Sequence, residues 1–333
     1  MSDQHVRWAI AGLGNIAHRF VKDLLKHVPN ARLEAVAARQ LSRAKQFAQI
    51  YQSPKYYGSY QQLAQDPDVD AVYIASIHPQ HRVMAKIFLN HGKHVLVEKP
   101  AFTTVADWDA MAALAQSQKR LLVEAMKSVT FPAYRQFKEF IKLNQITLDS
   151  IEASFGNANP FDAQSRLFDP QLCGGATLDV GVYPLWLYAD LCALMGISLP
   201  EPVVTHVQSN PKVRVDATVE YRFSGAIRGL LGASISTDLP RQARIKGPDF
   251  TATIHDKWWN PKTIDMIYRG QNYQIVTPER GGGFEYEIEH ISSLILAGQE
   301  QSDLLPGATT RKVINSMQQA LTSIGLQSLL QVN

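Results

Sequence analysis

Apolar runs alternate with amphipathic stretches over about the first 125 positions of the chain. Val6 to Ala11 is a short apolar run that ends at a glycine, and residues 16–28 carry apolar side chains at helical spacing. The alternation continues as strand patterns at 33–38, 71–76, 94–97 and 120–124 and as helical patterns at 42–51, 79–90 and 105–117. Strands that alternate with helices of this length predict parallel βαβ units, and right-handed crossovers then give a doubly wound sheet.

The pattern changes after about residue 145. Residues 147–156 alternate between apolar and polar side chains, as an antiparallel strand would, and a helix is predicted near 177–194. Turn signals then separate six further strand patterns, at 202–209, 213–223, 227–236, 250–255, 263–268 and 272–276. Two helical patterns follow, at 284–297 and 307–328.

These patterns predict two domains. Residues 1–125 form an α/β Rossmann domain with a doubly wound, mainly parallel sheet that binds a dinucleotide. Residues 126–333 form an α+β domain with a large, mostly antiparallel sheet that binds substrate, and the C-terminal helix can pack back on the first domain. A sheet of that kind can leave one face uncovered by its own helices, so we expect a homodimer through the C-terminal sheet.

Composition narrows the class of protein. The chain has 333 residues, of which 45% are hydrophobic and 19% charged, and its formal net charge is +3. Because the basic residues are scattered, no nucleic-acid partner is predicted. The two cysteines, Cys173 and Cys192, suit a reducing compartment, and no apolar run approaches the ~18 residues of a membrane span. We therefore expect a soluble, cytoplasmic protein with no membrane partner.

The run Gly12-Leu13-Gly14-Asn15-Ile16-Ala17 fits the dinucleotide-binding pattern GxGxxG/A. It follows a predicted strand and opens a predicted helix, which is the context that the pattern requires. Gly12 would allow the tight turn, Gly14 would let the backbone approach a pyrophosphate, and Ala17 would allow close packing of the helix on the strand. The structural alternative is an ordinary glycine turn before a helix.

The end of the second predicted strand indicates which cofactor is bound. Sites that prefer NAD place Asp or Glu there to bind the ribose 2′-hydroxyl. This chain instead has Ala37-Ala38-Arg39, with Arg43 one turn later. A guanidinium can bind a 2′-phosphate with two hydrogen bonds, so NADP is predicted over NAD. The structural alternative is that both arginines are solvated residues at a helix start.

Two further motifs carry the chemistry. Glu98-Lys99-Pro100 follows the fourth strand, where the carboxyl ends of the strands face the ligand crevice. A lysine there could transfer a proton or polarise a hydroxyl, although a charged loop is the equal alternative. Asp179 and Tyr183 lie four residues apart after a glycine loop, on one face of the predicted helix. They could share a substrate or belong to a satisfied structural network.

Together these motifs resemble the Gfo/Idh/MocA oxidoreductases. The resemblance covers nearly the whole chain. It is greatest for the branch of dimeric trans-dihydrodiol dehydrogenases and NADP-dependent D-xylose dehydrogenases, on the stretches Ala35–Arg39, Leu41–Lys45 and His78–His81.

The resemblance implies hydride transfer between nicotinamide C4 and a carbinol or aldehyde carbon. It implies that Lys99 and Asp179 are catalytic, that Tyr183 is the proton donor or acceptor, and that the Lys99–Pro100 bond is cis. It also implies that the dimer interface lies on the C-terminal sheet. The loop pattern already assigns Gly14 to the cofactor site. The resemblance implies further cofactor contacts from Gly12, Asn15, Ile16, Arg39, Arg43, Ile77, His78, Glu98 and Lys99.

The chain departs from the family pattern after Glu124-Ala125-Met126. Relatives carry a Trp-Thr-Arg-Phe-like run there that lines the substrate pocket, whereas this chain has Lys127-Ser128-Val129-Thr130. The missing aromatic wall and the new cation argue against an aromatic dihydrodiol and favour a polar ligand such as a sugar or sugar acid. We assign Lys127 and Arg166 to the substrate pocket.

The histidines and cysteines do not indicate a metal. His81 is predicted to make a structural hydrogen bond, and His78 to approach the nicotinamide through its backbone. The His, Cys and carboxylate positions lack a zinc-binding spacing, so no metal is predicted.

The sequence therefore predicts an NADP-dependent oxidoreductase that acts on a CH–OH group of a sugar, polyol or diol. One alternative is an aldose–ketose type reductase that works in the opposite direction. Another is a non-catalytic NADP sensor or regulator of the same fold. The presence of Lys99, Asp179 and Tyr183 favours the enzyme, because a sensor does not require acid and base groups.

Overall fold

The computed structural model describes residues 4–210, 212–278 and 280–330. In chain order the strands are β1 Val6–Ala11, β2 Ala31–Ala37, β3 Lys55–Tyr57, β4 Ala71–Ile74, β5 His94–Glu98, β6 Leu122–Ala125, β7 Ser150–Gly156, β8 Val203–Ser209, β9 Asp216–Phe223, β10 Arg228–Ser234, β11 Ala243–Gly247, β12 Phe250–Ile254, β13 Thr263–Tyr268 and β14 Gln271–Val276. The α-helices are α1 Asn15–His27, α2 Leu41–Tyr51, α3 Tyr60–Ala64, α4 His78–Asn90, α5 Val105–Ser117, α6 Pro132–Leu143, α7 Val182–Leu194, α8 Phe284–Leu296 and α9 Gly307–Ser323. Short 3-10 turns lie at Lys127–Thr130, Pro170–Leu172 and Gln327–Leu330, and a π-helical turn lies at Thr177–Gly181.

The chain divides into two compact units. Unit 1 comprises the described residues within 1–102, 106–130 and 280–307, and unit 2 comprises those within 103–105, 131–279 and 308–333. Within the described ranges, no helix is long and apolar enough to cross a membrane.

Unit 1 is built on a six-stranded sheet in the order β3-β2-β1-β4-β5-β6, with every pair parallel. Its central strands are apolar runs, and Ile10, Val36 and Leu96 are fully buried. Such burial is expected where helices cover both faces of a parallel sheet. The strand order reverses between β1 and β4, and doubly wound sheets bind ligands at the carboxyl ends of the strands at this switch point.

A helix from late in the chain completes unit 1. Helix α8 packs against α1, β1 and β2. The indole N–H of Trp8 in β1 donates to Ser292 Oγ of α8 at 2.9 Å. Phe20 of α1 meets Phe284 of α8 edge-on, with the ring centroids 5.9 Å apart. Helix α8 therefore belongs to the hydrophobic core of unit 1.

This packing shifts the domain boundary from the one that the sequence predicts. A division at residue 125 places residues 280–307 in the second domain, but the apolar side of α8 covers the sheet of unit 1. From Ala308 onward, helix α9 belongs to unit 2. Helix α8 thus packs on the Rossmann sheet although it lies far beyond residue 125 in the chain.

Unit 2 contains an eight-stranded sheet in the order β14-β13-β12-β11-β7-β10-β9-β8. Neighbouring strands are antiparallel except for β7 and β10. Helix α7 packs on β7 and β10, and α6 packs on β13 and β14. The predicted fold class, a Rossmann domain plus an α+β domain with a mostly antiparallel sheet, is confirmed.

The second face of this sheet carries exposed side chains. Strand register places Val203, Arg222, Leu230, Glu152 and Arg244 side by side across β8, β9, β10, β7 and β11. Val203 is 57% exposed and Leu230 is 47% exposed, so the face is open and mixes apolar with charged groups.

Candidate active site

The glycine loop lies at the carboxyl end of β1. Gly12 has a φ of +94°, and its N–H donates to Ala37 O at 3.1 Å. A Cβ on Gly12 would lie 2.7 Å from Ala75 O, so only glycine lets the chain turn this close to the end of β4. A Cβ on the exposed Gly14 would have no atom within 4 Å. This open space beside the first turn of α1 forms a cradle that fits a pyrophosphate.

Four other residues predicted to contact the cofactor lie at helix starts. Asn15 and Ile16 open α1, Ile77 precedes α4, and His78 opens it. All four are exposed or half-buried. Both helices start at the carboxyl edge of the parallel sheet, where their positive dipole ends favour a phosphate.

Two guanidinium groups follow β2. Arg39 and Arg43 are both exposed, and Nη2 of Arg43 donates to Leu13 O at 3.4 Å. Burial raises the pKa of the half-buried Tyr60, whereas the charges of Arg39 and Arg43 lower it, so this phenol lies near both cations. Two cations and a hydroxyl therefore lie near the end of β2, the position at which doubly wound folds generally bind the ribose of a dinucleotide.

Buried hydrogen bonds fix the backbone at Lys99. Glu98 ends β5, and burial raises the pKa of its carboxyl. The Tyr73 hydroxyl donates to Glu98 Oε1, and the backbone N–H of Lys99 donates to Glu98 Oε2 at 3.1 Å. The Lys99–Pro100 bond is cis, as the family resemblance implies. Lys99 itself is half-buried at the carboxyl edge of the sheet.

His81 joins this loop to the end of β4. It is fully buried, its Nδ1 lies 3.0 Å from Pro100 O and 3.2 Å from Ala101 O, and its Nε2 lies 3.1 Å from Ser76 O. Burial lowers the pKa of His81. The side chain therefore has the structural role that the sequence predicts.

Lys127 lies in the interior of unit 1 and is 9% exposed. Its Nζ donates to Gly282 O at 2.8 Å and lies 4.8 Å from the ring centroid of Phe284. Burial lowers the pKa of Lys127 to about 8; the charge of Arg19 lowers it further, and Glu287 raises it. The ammonium thus contacts the start of α8, and its assignment to the substrate pocket stays a prediction.

Asp179 lies in the π-helical turn Thr177–Gly181 rather than in the regular helix that the sequence predicts. Pro184 lacks an N–H to donate to Val180 O, so the α-helical ladder is interrupted here. Asp179 is 7% exposed, and Nη1 of Arg166 donates to its Oδ1 at 2.8 Å. The structure thus brings two predicted site residues together, a buried carboxylate and a guanidinium that is 54% exposed.

Tyr183 is the one residue from Val182 to Cys192 that is not buried. Its ring lies 5.1 Å from that of Phe155, which stacks on Trp259 at 3.6 Å. Phe155 and Trp259 are aromatic residues that the sequence reasoning missed, although the Trp258-Trp259 pair is a signal that could have found one of them. Two aromatic rings thus lie beside Tyr183 within unit 2.

In unit 1 the structure places a dinucleotide cradle at the switch point, and in unit 2 it places a carboxylate and a phenol one turn apart. Among the described residues, no group of three or more His, Cys, Asp or Glu side chains could hold a metal ion. The fold and the cradle together define a class, the nicotinamide-dependent oxidoreductases.

Comparison with known proteins identifies the family within this class. Residues 6–126 match the Gfo/Idh/MocA family, described as an oxidoreductase family with an NAD-binding Rossmann fold. The chain is 32% identical to a trans-1,2-dihydrobenzene-1,2-diol dehydrogenase from Xenopus laevis, over 96% of this chain and 98% of the relative. It is 33% identical to the enzyme of that name from Mus musculus, over 96% and 97%. The chain belongs to the Gfo/Idh/MocA family, and it is an oxidoreductase.

Solved structures show the same fold. A 3-ketoreductase from Actinomadura kijaniata in complex with NADP and TDP-benzene superposes with a TM-score of 0.83 at 22% identity, over 96% of this chain and 98% of that one. An aldose–aldose oxidoreductase from Caulobacter crescentus complexed with glycerol superposes with a TM-score of 0.82 at 21% identity, over 98% of each chain. These likenesses confirm the fold.

Proposed function

We propose that this protein is an NADP-dependent dehydrogenase or reductase that transfers a hydride between nicotinamide and a CH–OH carbon of a sugar, polyol or diol. In this proposal Lys99, Asp179 and Tyr183 are the catalytic residues. The observation that carries it is the exposure pattern of α7. The residues at the start of α7 are buried except Tyr183, which lies one turn from the buried carboxylate of Asp179. The packing of an apolar core does not require a phenol at this position.

Each of these side chains has one task in the proposal. NADP, when bound, supplies the hydride acceptor or donor. The Tyr183 hydroxyl gives or takes the proton of the substrate hydroxyl. The Lys99 ammonium stabilises the negative charge that develops on the substrate oxygen. Asp179, bonded to Arg166, accepts a hydrogen bond from a substrate hydroxyl and orients it.

The proposed preference for NADP over NAD rests on the side chains that follow β2. Arg39 and Arg43 are cationic and exposed, Tyr60 lies near both, and the strand end lacks the carboxylate that would bind a ribose 2′-hydroxyl. A 2′-phosphate would receive charge-assisted hydrogen bonds from these groups.

Replacing Arg39 with Ala is expected to weaken NADP binding by about 10- to 100-fold, the worth of a hydrogen bond to a charged group. NAD affinity should stay within about twofold of wild type, because NAD has no 2′-phosphate to lose a partner. Titration of both cofactors by tryptophan fluorescence measures the effect. Lys45→Ala, which removes another exposed cation from α2, is the control. Equal loss of NAD and NADP binding in Arg39→Ala would contradict the assignment.

The substrate class rests on the full-length relatives and on unit 2. The relatives at 32–33% identity are named for a trans-dihydrobenzene diol. The stack of Phe155 and Trp259 places two aromatic rings beside the proposed catalytic phenol of Tyr183. Because the relatives favour a dihydrodiol and Lys127 favours a more polar ligand, both substrate types enter the test.

The experiment is an assay of nicotinamide reduction with aldoses, polyols, inositols and dihydrodiols, run in parallel with NADP and NAD. We expect turnover of at least one class, with NADP preferred. The reverse reaction with the matching aldehydes or ketones defines the direction. Tight NADP binding without turnover in either direction would favour the sensor alternative.

The open face of the unit 2 sheet is proposed to form a homodimer. Leu230 lies between Arg222 and Glu152 on this face and is 47% exposed. Leu230→Glu would place a second carboxylate beside Glu152, so we expect the dimer to dissociate to monomers. Light scattering after gel filtration measures the mass, and Leu143→Glu, at a 74% exposed leucine of α6, is the matched control. A dimer that survives Leu230→Glu would place the interface elsewhere.

A further inference from the structure

A buried chain of hydrogen bonds holds the start of the turn that carries Asp179. The hydroxyl and the backbone N–H of Thr177 both donate to Asp216 Oδ2, at 2.6 and 2.7 Å. The Tyr221 hydroxyl lies 2.7 Å from Thr177 Oγ1, and because Thr177 gives its own proton to the carboxylate, Tyr221 is the donor here. All three side chains are fully buried.

Strand β9 contacts both ends of this turn. Asp216 and Tyr221 both lie on β9. A Cβ on Gly175, whose φ is +115°, would lie 2.2 Å from Asp216 Oδ1, and a Cβ on Gly181 would lie 3.0 Å from the Tyr221 hydroxyl. The two glycines therefore let the acid and the phenol approach the backbone before and after Asp179.

The arrangement is costly if its only role is stability. Asp216 is a fully buried carboxyl, and its Oδ1 has no hydrogen-bond partner among the described residues. Buried groups of this kind are destabilising relative to well-packed apolar residues. A buried carboxyl of this kind is explained if it holds an irregular stretch of backbone in one geometry. The π-helical turn that Asp216 contacts is such a stretch, and π-helical turns are frequent at functional sites.

We propose that Asp216, Thr177 and Tyr221, here named the β9 clamp, are positioning residues that set the geometry of Asp179 and Tyr183. The proposal rests on the proposed function. Because the clamp residues are fully buried, they act through the turn and do not contact the substrate. A displacement of a catalytic group by about 1 Å can lower a rate by about 100-fold, so a small change in the turn has a measurable effect.

The first test compares two substitutions at Thr177. Thr177→Val keeps the shape and removes the hydroxyl, and we expect kcat to fall by about 10- to 100-fold with little change in NADP affinity. Thr177→Ser restores the hydroxyl, and we expect kcat to return to within about threefold of wild type. Equal kcat values for the Val and Ser variants, whether both high or both low, would overturn the proposal. Thermal unfolding of each variant gives the folded fraction to which kcat is referred.

The second test uses pH. Burial raises the pKa of Asp216 to about 6, opposed by the hydrogen bonds from Thr177. On β9 and from residue 173 to the start of α7, the other titratable side chains that are not exposed are Tyr221 on β9, Cys173 on the loop before the turn, Asp179 in the turn and Tyr183 at the start of α7. The others on β9 and on its two partner strands are exposed to solvent: Glu220, Arg222, His206 and Arg228. Protonation of Asp216 weakens its role as acceptor.

We therefore expect kcat of the wild-type protein to fall as the pH drops through about 6. Asp216→Asn keeps an acceptor oxygen but cannot titrate, so its kcat should lack this limb. An identical acidic limb in both proteins would overturn the role of Asp216.

The thermal stability of the Asp216→Asn variant distinguishes a positioning role of Asp216 from a purely structural one. Because the pKa is raised from 3.8 to about 6, the stability that this group contributes is present below about pH 4 and is lost as the pH rises through about 6. A neutral amide is therefore not expected to lower Tm at pH 7.5. A fall in Tm with unchanged kcat of the folded fraction would show a structural role only.

The outcome is separable from that of the proposed function. If Tyr183→Phe is inactive while Thr177→Val keeps full kcat, the clamp proposal fails and the catalytic assignment stands. If Tyr183→Phe keeps full activity, the catalytic assignment fails, and the clamp has no catalytic group to position.

Discussion

Tyr183→Phe is expected to lower kcat by about 10²- to 10⁴-fold, the range for losing a general acid or base. The substitution removes only the hydroxyl and leaves the ring that lies 5.1 Å from Phe155. NADP affinity should therefore be unchanged, because the dinucleotide cradle lies at the ends of β1, β2 and β4. Lys99→Met should give a loss of kcat of similar size. Steady-state kinetics with the best substrate of the panel, together with NADP titration, measure both quantities.

Tyr188→Phe is the matched control for this prediction. Tyr188 lies on the same helix, is fully buried, and its hydroxyl donates to Ile227 O at 2.6 Å. Its loss should cost about 1–3 kcal/mol of unfolding free energy, since a buried acceptor is left unpaired, with kcat unchanged. If Tyr183→Phe behaved like Tyr188→Phe, with lower stability and normal turnover, Tyr183 would be a structural tyrosine.

Local signals made unit 1 predictable. The strand and helix patterns from Val6 to Ala125 lie close to the observed elements, because the central strands are mostly apolar and the longer helices carry apolar residues at helical spacing. The glycine loop was placed by its pattern between a strand and a helix, and φ of +94° at Gly12 gives the physical reason for that pattern. Strand β3 and helix α3, three and five residues long, are too short to show a period.

Contacts between distant parts of the chain were not predictable. The neighbours of Lys127 in sequence do not indicate that its ammonium bonds Gly282 O, 155 residues later. Residues 280–307 belong to unit 1 because of the packing of α8, which no local pattern reveals. The stack of Phe155 on Trp259 joins two residues that lie far apart in sequence. The sequence indicated which residues carry chemistry, whereas it did not indicate which residues surround them.

Gly12→Ala and Gly14→Ala are expected to differ sharply although they lie two residues apart. At Gly12 a Cβ would meet Ala75 O at 2.7 Å and Ala75 C at 2.9 Å, and the backbone has a φ of +94°. The unfavourable φ costs about 1–3 kcal/mol, and the contact with backbone atoms adds to it. We therefore expect Gly12→Ala to lower Tm by several degrees or to prevent folding.

At Gly14 the φ of −84° suits any residue, and a Cβ would have no atom within 4 Å. Gly14→Ala should fold with a Tm close to that of the wild-type protein. Its methyl group would instead occupy the space through which the pyrophosphate approaches the backbone, so NADP affinity should fall by at least about tenfold, or ~1.4 kcal/mol. Thermal unfolding with and without NADP measures both effects: in Gly14→Ala the stabilisation by NADP shrinks, while the unliganded Tm stays constant. Normal NADP binding by a folded Gly14→Ala protein would mean that the dinucleotide does not occupy this cradle, and the open space at the switch point would need another ligand.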